Sequence, residues 1–444
     1  MSVLPGGIDT SQQPPMTIPL RHFVVSLAFF LAGIALEIGL FFDALPGLGR
    51  IAHVHLLLVG WICVTIMGAM TQFVPVWSAT TLHSRRLANA QLALVAFGLL
   101  GVTLSYLRAE FLWIAAFGLL LLVGFWTFVY NIARTLATVE HLDVTERHFL
   151  VALGFFVVVS VLGVLLAVNF VHPLFPRGVT AAGVLGAHAT LAVFGAVLTT
   201  IYGALYQLAT MFTQTDLDGL DRRLGAIEEI GHPIGVVTLA IGRLLESAPI
   251  ARLGGLLVLV AALSFGFVFA RKLVTMQVER TPMHTRYAVV AVSLLSWVVV
   301  SAPAWLRSPI DPAHRFGAAG SGHLLLFGAI GFVVLGTLYH IVPFIIWVHR
   351  YSDKLGLEDV PMVDDLYDDR LAAVDGTLLV GGMALLVGGG FFESPSVVTA
   401  LGGASIAVGA AVFTLNVLLV IHRHGPQSFD RLLFGSLVLP AVTI

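Results

Sequence analysis

Runs of about 20 apolar residues recur along the whole chain, and each is long enough to cross a bilayer as a helix. Twelve are read, at roughly 22–43, 53–77, 87–107, 111–135, 148–171, 184–212, 231–249, 252–275, 285–306, 321–347, 371–392 and 396–422. A water-soluble core cannot hide so much apolar surface: 58% of the 444 residues are hydrophobic and only 11% are charged. In lipid the backbone must satisfy its own hydrogen bonds, which a helix does within one segment. The expected fold class is an all-α polytopic membrane protein forming a single membrane domain over 1–444, with the lipid bilayer as its first partner.

The first 20 residues are polar and proline-rich, without the apolar core and small-residue cleavage site of a secretory signal, and read as a flexible cytoplasmic tail. Twelve spans put both termini on one side. Sixteen of the 23 Lys and Arg then share that side, while Arg50, Arg108, Arg177, Arg252, Arg307 and Arg315 fall opposite and Arg243 lies within a span. Cytoplasmic loops carry the basic excess, so both termini are expected in the cytoplasm. Arginine outnumbers lysine 21 to 2, which hints at a GC-rich prokaryotic genome and hence a prokaryotic plasma membrane. The lone cysteine, Cys63, excludes disulfides, cysteine-ligated iron–sulfur clusters and CxxCH haem attachment. No basic patch with interleaved aromatics points to nucleic acid.

A motif recurs in the second, sixth and tenth spans. "HVHLLLVGWICVTIMGAMTQFVPVW" begins at His53, "AHATLAVFGAVLTTIYGALYQLATMF" at Ala187 and "SGHLLLFGAIGFVVLGTLYHIVPFIIW" at Ser321. Gly60, Gly195 and Gly328 align, as do Gly68, Gly203 and Gly336, with successive offsets of 135 and 133 residues. Each offset contains four spans, so the chain reads as three four-helix units, about 21–147, 148–283 and 284–424. Small residues at helix contacts explain part of such a match. Histidines at the same end of each copy, His53, His55, His188 and His323, add a functional signal, because ionisable groups in a membrane are expensive. Residues i and i+2 of a helix point about 200° apart, so His53 and His55 face different clefts.

The pattern resembles subunit I of the haem-copper oxidases, the superfamily of cytochrome oxidases and nitric oxide reductases. The nearest local likeness is to the tenth helix of the C-type oxidases, through His53, His55, Gly60, Trp61, Gly68, Ala69, Val74 and Pro75. The resemblance implies three arcs of four helices with clefts between them. His323 would face His53 across a low-spin haem b, and His55 would face His188 across a second haem, a copper ion or nothing but each other. Thr190 would face Ser321 in a third cleft. Gly60 below His53 and Gly195 below His188 would let a flat porphyrin lie against the helix. Arg50, Arg177 and Arg315 would suit the haem propionates. An electron donor (a small cytochrome, a cupredoxin or a quinol) or a partner subunit is implied as well.

The chain departs from the family in the seventh span, "GHPIGVVTLAIGRLLESAPI". Its one histidine, His232, is expected at the cytoplasmic start; Arg243 and Glu246 occupy the outer end, where the family has a copper-binding histidine pair. The span also lacks a tyrosine, and Ser321 stands at the position of the high-spin haem ligand. The family's copper site beside a high-spin haem is therefore not expected here. The reading is a haem-binding membrane cytochrome engaged in electron transfer or small-gas (oxygen or nitric oxide) chemistry. The alternatives are a genuine terminal oxidase or nitric oxide reductase, which would make the chain an oxidoreductase, and a cofactor-free transporter or structural protein. The topology has its own test. In a Cys63→Ala background, Ala109→Cys should react with a membrane-impermeant maleimide on intact cells and Thr81→Cys only after lysis; the reverse pattern would invert the chain.

Overall fold

The computed structural model describes residues 14–392, 395–425 and 427–434. Residues 1–13 of the expected tail lie outside the described residues, and its last four, from Thr17, already belong to a helix. The described residues form helices and turns, and twelve helices are long and apolar enough to cross a membrane. They are α1 (Thr17–Phe41), α2 (Gly49–Trp77), α3 (Arg85–Arg108), α4 (Phe111–Leu136), α5 (Val144–Asn169), α6 (Ala181–Thr213), α7 (Gly219–Leu244), α8 (Ala248–Val274), α9 (Pro282–Arg307), α10 (Leu324–Arg350), α11 (Asp369–Phe391) and α12 (Ser396–His424). A short α13 (Phe429–Phe434) follows.

Capping residues set where several helices begin. Asp143 and Asp218 each form a capping box, with Glu146 and Asp221 respectively, and open α5 and α7. Ser84, Thr180 and Asp368 accept from backbone N–H groups at the starts of α3, α6 and α11. The cap at Asp218 corrects the expected start of the seventh span near 231. α7 begins twelve residues earlier, because its charged first half is neutralised across helices: Asp221 by Arg271 and Lys272, Glu229 by Arg147, and Glu228 by His148. His232 therefore sits in the middle of α7, fully buried, and not at its start. α7 stops at Leu244, so Glu246 lies in the turn before α8.

Sequence neighbours pack as hairpins, α3 with α4, α7 with α8 and α11 with α12, while α1, α5 and α9 lie along α2, α6 and α10. α12 also packs on α1. α10 is the most enclosed span, with 83% of its central window buried. The three motif helices share a distortion: π-helical stretches cover Leu56–Cys63, Leu191–Leu198 and Leu324–Gly331. They start 135 and 133 residues apart, the offsets of the sequence motif. Such bulges are rare and concentrate at functional sites.

Close approach between helices depends on glycine at defined points. A Cβ on Gly254 of α8 would stand 2.2 Å from the Leu239 nitrogen of α7, whereas one on Gly154 of α5 would meet nothing within 4 Å. Gly254→Ala should therefore lower stability by about 1–3 kcal/mol, and Gly154→Ala should be neutral or gain up to about 1 kcal/mol from helix propensity. Thermal midpoints of the two variants in detergent check this.

Candidate functional site

The histidine ends of α2, α6 and α10 carry the candidate site. His53 Nδ1 lies 2.9 Å from the Gly33 carbonyl of α1, and its Nε2 lies 3.1 Å from Glu37 Oε2 on the same helix. His188 Nδ1 lies 3.1 Å from the Val159 carbonyl of α5. Gly33 and Val159 are 126 residues apart, and so are Phe29 and Phe155, one turn earlier. His55 Nδ1 bonds the Ile51 carbonyl of its own helix at 2.8 Å, and its ring lies 5.4 Å from that of Tyr106 on α3. A carbonyl only accepts, so all three imidazoles carry a proton on Nδ1, which leaves Nε2 as the second donor or acceptor; at His53 that nitrogen faces the Glu37 carboxylate, and one proton lies in the contact. Metal-ligating histidines are held in this way, with the second ring nitrogen fixed by a backbone or carboxylate oxygen.

His323 immediately precedes α10, close enough to His53 and Glu37 for their charges to act on it. His188 likewise lies within electrostatic range of His55. His323 thus lies on the His53 side of α2 and His188 on the His55 side, with no hydrogen bond within either couple among the described residues. Thr190 and Ser321 do not bond each other: Thr190 receives Arg243, and Ser321 bonds Ala318 and Ser301. Among the described residues no three His, Cys, Asp or Glu side chains converge as a metal-binding group.

The two glycines face neighbouring helices, which corrects the expectation of an open surface for a ring. A Cβ on Gly60 would be 2.6 Å from Phe29 Cβ of α1, and one on Gly195 would be 2.8 Å from Phe155 Cγ of α5. They serve helix packing, because a phenylalanine fills the space that each leaves. Room beside the His188 ring comes instead from Gly163 of α5, where a Cβ would stand 3.1 Å from Cε1. Arg50 and Arg177 are exposed, with no hydrogen bond or ion pair among the described residues; Arg315 is half-buried beside Arg243.

Sequence reasoning missed Glu37 as the partner of His53, and it missed a set of buried polar contacts nearer the other end of the bundle. His148 of α5 donates from Nδ1 to the Val144 carbonyl, while Nε2 contacts the Glu228 carboxylate of α7 at 3.1 Å. One proton must lie in that contact, on either the imidazole or the carboxyl. Around it, Tyr202 Oη and His232 Nδ1 are buried without a hydrogen-bond partner among the described residues, and His232 Nε2 donates to the Phe194 carbonyl inside the π-helical stretch of α6. Arg286 of α9 pairs with Asp375 of α11, which also receives Tyr339 Oη. His22 of α1 lies 3.4 Å from Gln91 of α3. His22, His148 and Arg286 each press their Cβ against a motif glycine: Gly68, Gly203 and Gly336. A window average hides these groups, because each is a single polar residue beside an apolar run.

Removing one partner of a buried charge pair leaves the other uncompensated, at about 3–5 kcal/mol. Glu228→Leu should show that loss, and Glu228→Leu with His148→Leu should recover a large part of it. Chemical or thermal unfolding of the three proteins checks the coupling. No known protein family matches this chain, and no curated protein matches it either.

Proposed function

We propose that the chain is a membrane cytochrome of the haem-copper oxidase subunit I type, holding one haem b between His53 and His323 and a second between His55 and His188. The observation that carries this reading is the set of imidazoles anchored through Nδ1 to backbone carbonyls, each with a second histidine within electrostatic range. The donor set fits: two imidazoles on iron give a six-coordinate centre that supplies one-electron transfer. Glu37 contacts His53 Nε2, so it must leave for that nitrogen to bind iron; its side chain is 56% exposed and has room to do so. The Gly33 and Val159 carbonyls keep the rings oriented, and Arg50 and Arg177 offer charge for propionates.

Three four-helix units are part of the same proposal. The matched π-helical stretches, the matched glycine contacts and the recurrence of the α1–α2 packing in α5–α6 and α9–α10 support them. The termini would lie in the cytoplasm of a prokaryotic plasma membrane, and a small cytochrome, cupredoxin or quinol would supply electrons. The Glu37–His53 contact also favours a second reading, a cofactor-free scaffold in which this pair is a structural lock.

Spectra of the purified protein separate the readings. Sharp reduced α-bands that carbon monoxide leaves unmoved, with one or two haems per chain and no stoichiometric copper, are expected. His53→Ala and His323→Ala should remove the same haem, and His55→Ala and His188→Ala the other. A carbon-monoxide shift with copper would mean a terminal oxidase or nitric oxide reductase; a colourless protein would leave the scaffold.

A further inference from the structure

A buried cation reaches from α7 to Thr190 of α6. Arg243, in the last turn of α7, is only 4% exposed. Its Nε donates to the Pro309 carbonyl at 3.1 Å, Nη1 to Thr190 Oγ1 at 2.8 Å and Nη2 to the His314 carbonyl at 3.3 Å. The guanidinium carbon lies 5.4 Å from the centroid of the Trp305 ring. All of these partners are neutral. Among the described residues the charged neighbour within electrostatic range is Arg315, a second cation, whose side chain has no hydrogen bond or ion pair.

Other deeply buried cations here have a carboxylate: Lys272 has Asp221 at 2.7 Å, and Arg286 has Asp375. The acids nearest to Arg243 and Arg315 in sequence are committed elsewhere, Glu246 to Thr180 Oγ1 and Asp311 to the Ala313 N–H. A buried charge without a counter-charge is costly. The C-terminal carbonyls of α7 and the Trp305 face offset part of that cost, but Arg315 adds repulsion. A guanidinium has five N–H donors; three are used, which leaves one on each terminal nitrogen of Arg243. The surroundings are built around this side chain. Gly186 of α6 passes it so closely that a Cβ would lie 3.3 Å from Arg243 Cβ, and Trp297 and Trp305 donate at 2.7 Å to the Phe316 and His314 carbonyls, pinning the 308–320 loop over it.

We propose that Arg243 and Arg315 together bind a small inorganic anion, chloride or nitrate in kind, between α6, α7 and the 308–320 loop. The anion takes the free N–H groups of Arg243 and neutralises the pair, and Arg315 is the side from which it enters. The site is separate from the histidine pairs and does not rest on haem binding.

The test uses the full chain in a neutral detergent. Sodium chloride should raise the thermal midpoint by several degrees over sodium gluconate at equal ionic strength, because a ligand that binds only the folded state stabilises it by mass action. Radiolabelled chloride should bind saturably, and Arg315→Gln, in the loop and outside the helix packing, should bind roughly tenfold more weakly or not at all. Equal midpoints in the two salts with no saturable chloride would overturn the proposal. So would wild-type affinity in Arg315→Gln, or stabilisation by phosphatidylglycerol vesicles alone, which would assign the arginines to a lipid headgroup.

Discussion

Lipid offers no hydrogen bonds, so every polar group between the two surfaces must find its partner inside the protein. The backbone meets this demand by winding into helices, and the buried charged side chains meet most of it by pairing across them. Asp375 is an intramembrane carboxylate because Arg286 and Tyr339 converge on it, and Glu228 because His148 does. The charged first half of α7 is helical for the same reason, since the cations of α5 and α8 neutralise it. Arg243 departs from the pattern, with neutral acceptors only. That departure sets Arg243 apart from Lys272 and Arg286, the buried cations that have a carboxylate.

Glycine sets how close the helices come, and closeness decides which polar groups meet. His148 reaches Glu228 from a point where α5 lies directly on Gly203 of α6. Where a π-helical stretch interrupts the regular ladder, a carbonyl is left for a side chain: the Phe194 oxygen accepts from His232 Nε2 and, at 3.3 Å, from Thr199 Oγ1. The bulges begin immediately after His55 and His323 and three residues beyond His188. The distortion and the candidate ligands therefore share one end of each motif helix.

The number of spans was legible in the sequence because length and hydropathy are local properties. The repeat was legible because its glycines fall at constant offsets. The start of α7 was not, since its charges look like a loop until their partners on other helices are known. The use of Gly60 and Gly195 was also hidden: seven residues below a histidine places a glycine on the same side of a helix, but whether a cofactor or Phe29 fills the gap depends on how the next helix is rotated. Glu37 falls within the first apolar run, and nothing in the linear order ties it to His53.

The sequence by itself determined that this chain is a bundle of twelve membrane-length helices and that three of them carry related motifs with histidines at one end. These follow from apolar run length and residue spacing, which survive any arrangement of the helices. Only the tertiary structure decided that Arg243 is buried among neutral partners and that a carboxylate already contacts His53. Those facts depend on the depth and rotation of each helix against its neighbours. Both are set by the sum of many small packing contacts, and no single stretch of sequence encodes them.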